Sequence, residues 1–211
     1  MDESSHDKKN QTPGRTTDMN ALIVDAVSAT DTPSSAARIC RTIEDEYRKA
    51  DWGVRTLIIQ EMNISPCMGC FQCWVRTPGI CAINDEGRSV AGAWMQSDVV
   101  VLVTPVTFGG YSAALKRAVD RIIPILSPYF MKIRGEVHHK PRYERYPALV
   151  GIGVLPCRDD ESAALFSRII ERHATNAHSP WHRAFVLSGD HEWRGVGDII
   201  GPLAARAKEA A

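Results

Sequence analysis

Four cysteines, Cys67, Cys70, Cys73 and Cys81, are crowded into one short stretch of the chain. The first three make a C-x2-C-x2-C run, and the fourth follows after seven residues. Thiolates so spaced can wrap a 4Fe–4S cluster, as ferredoxin-type runs do. They can also hold a tetrahedral zinc, although the paired-knuckle spacing of structural zinc sites is absent. A third reading is reduced thiols without metal, in a loop shaped for substrate or for a second subunit. A Cys70–Cys73 disulfide is a fourth. Cys40 is different: it falls at helical spacing with Ala36, Ile39, Ile43 and Tyr47 and reads as core.

A second chemistry-bearing stretch is rich in hydroxyls: Ser28, Thr30, Thr32, Ser34 and Ser35. It follows an apolar run at 21–27 and leads into a helix, with Thr32 as N-cap and Pro33 at the first helical position. A helix N-terminus attracts an anion through its free N–H groups and dipole. The loop has no Gly-Lys-Ser/Thr, so it is not a Walker loop. It has no G-x-G-x-x-G either, which disfavours an NAD-type dinucleotide fold. Hydroxyls without lysine suit a single phosphate monoester, such as that of FMN. An ordinary N-capped helix behind a polar loop is the plain alternative. Asp31 is expected to face solvent.

These residues need elements to position them. The run 99–103 is unbroken, β-branched and ended by Thr104-Pro105, so it reads as a strand buried on both faces that stops there. Gly109-Gly110 permits a sharp turn. Leu115, Ala118, Val119, Ile122 and Ile123 then form one apolar helix face, with Lys116, Arg117, Asp120 and Arg121 opposite. Further strands are expected at 21–27, 54–60, 148–155 and 184–187. Further helices are expected at 87–96, from Asp159-Asp160-Glu161 through Phe166, Ile169, Ile170 and His173, and at 199–207, starting or kinked at Pro202. Strands alternating with helices predict a parallel α/β sheet with right-handed crossovers. The stretches 61–85 and 127–147 read as irregular, the second as an aromatic and basic lid or subunit contact. His138 and His139 are adjacent, so on an extended segment they point to opposite faces and make a poor metal pair. Lys116 and Asp120 read as a surface pair. No nucleophile–base pairing argues for hydrolysis.

The chain has 211 residues, no net formal charge and no apolar run long enough for a membrane helix. This argues for one domain, 20–211, behind a polar extension, 1–19, expected to be disordered. It argues against a charge-driven nucleic-acid or membrane role. No signal-peptide pattern is seen, so a cytoplasmic location and reduced cysteines are expected.

Taken together, the hydroxyl loop, the stretch Thr104-Pro-Val-Thr-Phe-Gly109, the helix from Ser112 to Arg121 and the run from Cys67 to Cys81 resemble the flavodoxin-like NAD(P)H-dependent FMN reductase family, and within it the iron–sulfur flavoprotein branch. Thr107 stands where many relatives carry an aromatic, and Phe108 follows it. The resemblance implies a flavodoxin-like three-layer sandwich whose five-stranded parallel sheet has order 2-1-3-4-5, with FMN between strands one and three. It implies FMN contacts from Ser28, Thr30, Ser34, Ser35, Thr104, Pro105, Val106, Thr107, Phe108, Gly109 and Gly153. The ring would lie on the N–H groups of 106–110, and Gly151, Gly153 and 155–157 would close its far side. It implies NAD(P)H as donor, a small-molecule redox substrate and a homodimer or homotetramer. Three functions remain open: an NAD(P)H oxidoreductase reducing a quinone, flavin, nitro compound or iron–sulfur acceptor; an FMN electron carrier, with or without a 4Fe–4S cluster, lacking a nicotinamide site; and a cofactor-free regulatory scaffold.

Overall fold

The computed structural model describes residues 19–27 and 38–209. Five parallel strands form the main sheet: β1 (Asn20–Asp25), β2 (Gly53–Ile58), β3 (Val99–Pro105), β6 (Ala148–Leu155) and β7 (His182–Ser188), in the order β2-β1-β3-β6-β7. Counting these five alone, the order is 2-1-3-4-5, the flavodoxin-like arrangement. The remaining strands, β4 (Leu126–Ile133) and β5 (Glu136–Pro141), form a separate antiparallel hairpin. Its turn, Arg134-Gly135, has positive φ at both residues, as a tight hairpin turn requires. The stretch expected to be irregular is therefore ordered over most of its length.

Side chains alternate across the sheet into two cores. Val99, Val101 and Val103 of β3 pack with Ile39, Ile43 and Tyr47 of α1 (Ile39–Lys49), Trp193 of α6 (Gly189–Arg194), and Ile200 of α7 (Val196–Glu209). Val100 and Leu102 face the other way, toward Trp94 of α3 (Gly87–Met95), Leu115 of α4 (Ala113–Asp120), and Phe166 and Ile170 of α5 (Asp160–Asn176). A strand covered on both faces explains the unbroken apolar run. The last helix starts at Val196 rather than Pro202, which lies inside it.

β3 ends at Thr104-Pro105 as expected, with Pro105 still paired to Val154. Val106 donates its N–H to Val154 O, so by strand alternation the missing N–H of Pro105 points toward β1, whose pairing has ended at Val103. Arg121, expected on the solvent face of α4, is 1% exposed. It sits at the helix C-cap, where the last turn rotates it inward beside Ala118 and Ile122.

Gly151 and Gly153 face α5 in the closest part of the packing. A Cβ on Gly151 would lie 2.2 Å from Ile170 Cδ1, and one on Gly153 would lie 2.5 Å from Val106 Cγ2. Gly153 thus seats the loop after β3 from below. Ile170 is fully buried. Gly151→Ala is expected to lower unfolding free energy by about 1–3 kcal/mol through overpacking, measured by urea denaturation.

Candidate functional site

The tips of β1 and β3 are neighbours, with Asp25 level with Val103. Ser28, Thr30, Ser34 and Ser35 lie outside the described residues, as do Asp31, Thr32 and Pro33. At the tip of β1, Asp25 accepts from the Val27 N–H at 2.9 Å, and burial raises its carboxyl above the usual range.

Beyond β3 the chain makes a tight turn. Thr107 and Gly110 exchange both backbone hydrogen bonds, at 3.0 and 2.9 Å. Phe108 and Gly109 take positive φ, 50° and 74°. That conformation is uncommon for a phenylalanine and marks a strained tip. A side chain on Gly109 would also meet Leu165 Cβ at 2.8 Å. The Phe108 ring is completely exposed. Of the N–H groups at 106–110, those of Val106, Thr107 and Gly110 are bonded within the protein. Only Phe108 and Gly109 keep free donors among the described residues, which narrows the five expected to two.

The turn is braced from beneath. Thr104 is wholly buried, and its Oγ1 lies 3.1 Å from Ser112 Oγ and accepts from the Ser112 N–H. Ser112 Oγ in turn caps α4 by accepting from the Leu115 N–H. Thr104 therefore supports the loop and offers no free hydroxyl. Next to the turn, Tyr111 Oη lies 2.9 Å from His173 Nδ1, with Trp94 stacked on the imidazole at 5.5 Å. Burial, and then the Lys116 charge, push the His173 pKa down to about 4, against a smaller opposing pull from Asp120. The ring is neutral near pH 7, so Nδ1 accepts the Tyr111 proton in the tautomer protonated at Nε2.

The cysteine stretch leaves the carboxyl end of β2 and contains one helical turn, α2 (Gln72–Val75), entered through Phe71 at φ 54°. Cys67, Cys70, Cys73 and Cys81 all line one cavity of about 60 Å³, together with Phe71, Ile83, Arg121 and Ile123. Burial raises the Cys73 thiol, and the other three sulfurs each raise it further. Among the described residues no three metal-ligating side chains converge tightly enough for one ion. A zinc with bonds of about 2.3 Å needs its sulfurs within about 3.8 Å of one another. Here four thiols surround a hollow instead.

Arg121, read from the sequence as a solvent-face residue, and Asp85, given no role there, hold this stretch in place. Arg121 Nη1 and Nη2 bond Asp85 Oδ2 and Oδ1 at 2.8 and 2.7 Å. Nη1 also donates to Ser65 O at 2.7 Å and Nη2 to Ile83 O at 3.4 Å. Asp85 accepts from the Ser65 and Gly87 N–H groups as well. Its carboxyl is held well below the usual range, first by Arg121. A Cβ at Gly87 would lie 2.8 Å from Arg121 Cζ, so glycine makes room for the pair. The hairpin meets this stretch through a chain of ring contacts, one stacked and two tilted. Phe71 and Trp74 are 5.3 Å apart, Trp74 and His139 4.7 Å, and His139 and Phe130 4.7 Å. His138 turns the other way, toward Asn176 and Glu136, so the histidine pair does separate.

The family described as NADPH-dependent FMN reductase matches residues 20–143. An iron-sulfur flavoprotein of Methanocaldococcus jannaschii is 35% identical over 78 residues, which is 36% of this chain and 39% of that protein. The chain thus matches about two fifths of the length of that curated relative. Among solved structures, an FMN-dependent NADH-azoreductase from Bacillus anthracis in complex with FMN has a TM-score of 0.62 at 11% identity, covering 89% of this chain and 98% of that one. An NAD(P)H:quinone oxidoreductase from Methanothermobacter marburgensis has a TM-score of 0.62 at 12% identity, covering 90% and 98%. These two likenesses show the fold alone. No helix among the described residues is long and apolar enough to cross a membrane.

The folded pKa of His173 lies below its unfolded value of about 6.5. Its contribution to stability is therefore complete above about pH 6.5 and is lost as pH falls toward 4. At most about 3 kcal/mol is involved. His173→Gln is expected to flatten unfolding free energy against pH across that window, read by chemical denaturation at a series of pH values. The Asp85 contribution is lost only at lower pH, below the ordinary carboxylate range.

Proposed function

The chain belongs to the NADPH-dependent FMN reductase family, and from that premise we propose that it is a flavin-dependent NAD(P)H oxidoreductase with an iron–sulfur relay. We place the flavin ring on the turn after β3, over residues 104–109, and the phosphate among Ser28, Thr30, Ser34 and Ser35. Bound FMN supplies the ability to take electrons as a hydride and release them one at a time. The chain orients the ring and tunes it. The free N–H groups of Phe108 and Gly109 stabilise negative charge on a reduced ring more than a neutral one. Gly109 lets the turn sit against Leu165, and the exposed Phe108 ring is the aromatic available for stacking.

We assign Cys67, Cys70, Cys73 and Cys81 to a 4Fe–4S cluster. The observation that carries this is four cysteines lining one hollow. The similarity to an iron-sulfur flavoprotein supports it. The acceptor is a quinone, flavin, nitro compound or iron–sulfur protein. A second reading, an electron carrier without its own nicotinamide site, is favoured by the exposed Met68, Phe71 and Val75 near the cysteines, where a partner protein could sit. We place the contact between copies of the chain on the hairpin, whose Tyr129, Phe130 and Val137 are exposed.

Protein purified without oxygen is expected to carry one FMN and about four irons per chain, and to oxidise NADPH in steady state. Cys73→Ser should lose most of the iron and keep the flavin. Iron-free protein from such a preparation overturns the cluster assignment. Reduction by a partner protein but not by NAD(P)H selects the carrier. For the hairpin, Phe130→Ser is expected to shift sedimentation toward smaller species, and a wild-type monomer removes that contact.

A further inference from the structure

Arginine has five N–H donors. In Arg121 the four on Nη1 and Nη2 are bonded to Asp85, Ser65 and Ile83. The fifth, on Nε, is buried and makes no hydrogen bond of ordinary geometry, although Cys81 is near enough to act on the guanidinium as a weak side-chain acceptor. A buried donor so poorly partnered is unusual in a network otherwise so complete. The side chain is 1% exposed and lines the same cavity as the four cysteines. Asp85 does most to hold the guanidinium in its charged form, and the neighbouring Cys81 sulfur adds to it. Two carbonyls and a bidentate carboxylate leave the guanidinium no freedom to turn its unused edge elsewhere.

We propose that Arg121 is a positioning residue of the four-cysteine site, holding its Nε–H for a sulfur of the bound group and its charge beside Cys81, and so raising that group's reduction potential. This rests on the cluster reading above. The step concerned is the gain of one electron from a reduced flavin, or from dithionite in the assay. No bond is made or broken, and one negative charge is added among thiolates that are already negative. Hydrogen bonds to the sulfurs and local charge are recognised determinants of cluster potential. A fixed cation with a spare donor favours the more negative, reduced state. Asp85 opposes that effect while holding the guanidinium in place.

The test is a potentiometric titration of anaerobically purified, full-length protein, followed by electron paramagnetic resonance, with iron counted per chain. Arg121→Gln is expected to make reduction at least tenfold less favourable, a fall of about 59 mV for one electron. Arg121→Lys, which keeps the charge and loses the planar donor, should fall between. Asp85→Asn should shift the potential upward. A purely structural role would change iron content and melting temperature but leave the potential of loaded protein unmoved. The inference is overturned if Arg121→Gln, or Arg121→Lys should the former not fold, keeps the wild-type potential. Wild-type protein without iron overturns the cluster reading, and this inference with it. Wild-type protein with iron and unshifted variants overturns this inference alone.

Discussion

A carboxylate and a guanidinium, both taken out of water, hold the site-bearing edge of this molecule together. Asp85 and Arg121 are 8% and 0% exposed at their side chains and meet through two parallel hydrogen bonds. Burying two charges is expensive, and their attraction offsets that only when the geometry is good and the remaining donors find partners. Ser65, Ile83 and Gly87 supply most of those partners from the backbone. The pair therefore joins the start of the cysteine stretch, its end and the end of α4 at one point. Removing either partner from such a pair typically costs about 3–5 kcal/mol, because the other is left charged and alone. A loop of this length needs such a clamp, since little apolar surface holds it: Cys67, Cys70 and Phe71 are all exposed.

The sheet imposes the other constraint. In a doubly wound order, the helices after β1 and β3 go to opposite faces, and a crevice opens at their tips. α1 packs on one core and α4 on the other. The tight turn at 107–110 stands at that crevice, and its strain is affordable because Val106, Gly153, Phe166 and Leu165 pack beneath it. The glycines of β6 belong to this support. They let α5 and Val106 approach the sheet closely enough to fix the turn's height.

Much of the fold was legible because burial on two faces leaves a plain record. Residues 99–103 and Ala148–Leu155 are without a polar side chain, and the helices after them carry apolar residues on a helical period. The four cysteines stood out because their spacing has few uses, and the structure brings all four to one cavity. Arg121 was not. A charged residue at the end of an amphipathic helix ordinarily reads as solvated, and its partner lies 36 residues away in an irregular stretch. Asp85 was equally silent, being an acid just before a helix. The hairpin at 126–141 was misread because neither strand joins the main sheet. Tyr129, Phe130, Met131 and Lys132 are all exposed, as are most residues of the second strand, so no alternation of buried and exposed positions marks it. The turn after β3 was placed correctly, but its free donors could not be counted without seeing Thr107 and Gly110 bond to each other.

One short helix links the two halves of the proposed site. α4 begins at Ser112, whose hydroxyl ties it to Thr104 under the turn after β3. It ends at Arg121, which reaches the cysteine cavity. Nine residue steps at 1.5 Å each put these two caps about 13 Å apart along the helix axis. Leu115 and Ala118 are buried, so the helix is pinned to the sheet and the spacing cannot drift. The cation also lies at the helix C-terminus, where the backbone dipole favours it. The helix thus joins the loop proposed for the flavin to the loop proposed for the cluster through one rigid, packed element. The same helix brings a charge far in sequence from every cysteine to the wall of the cavity they line.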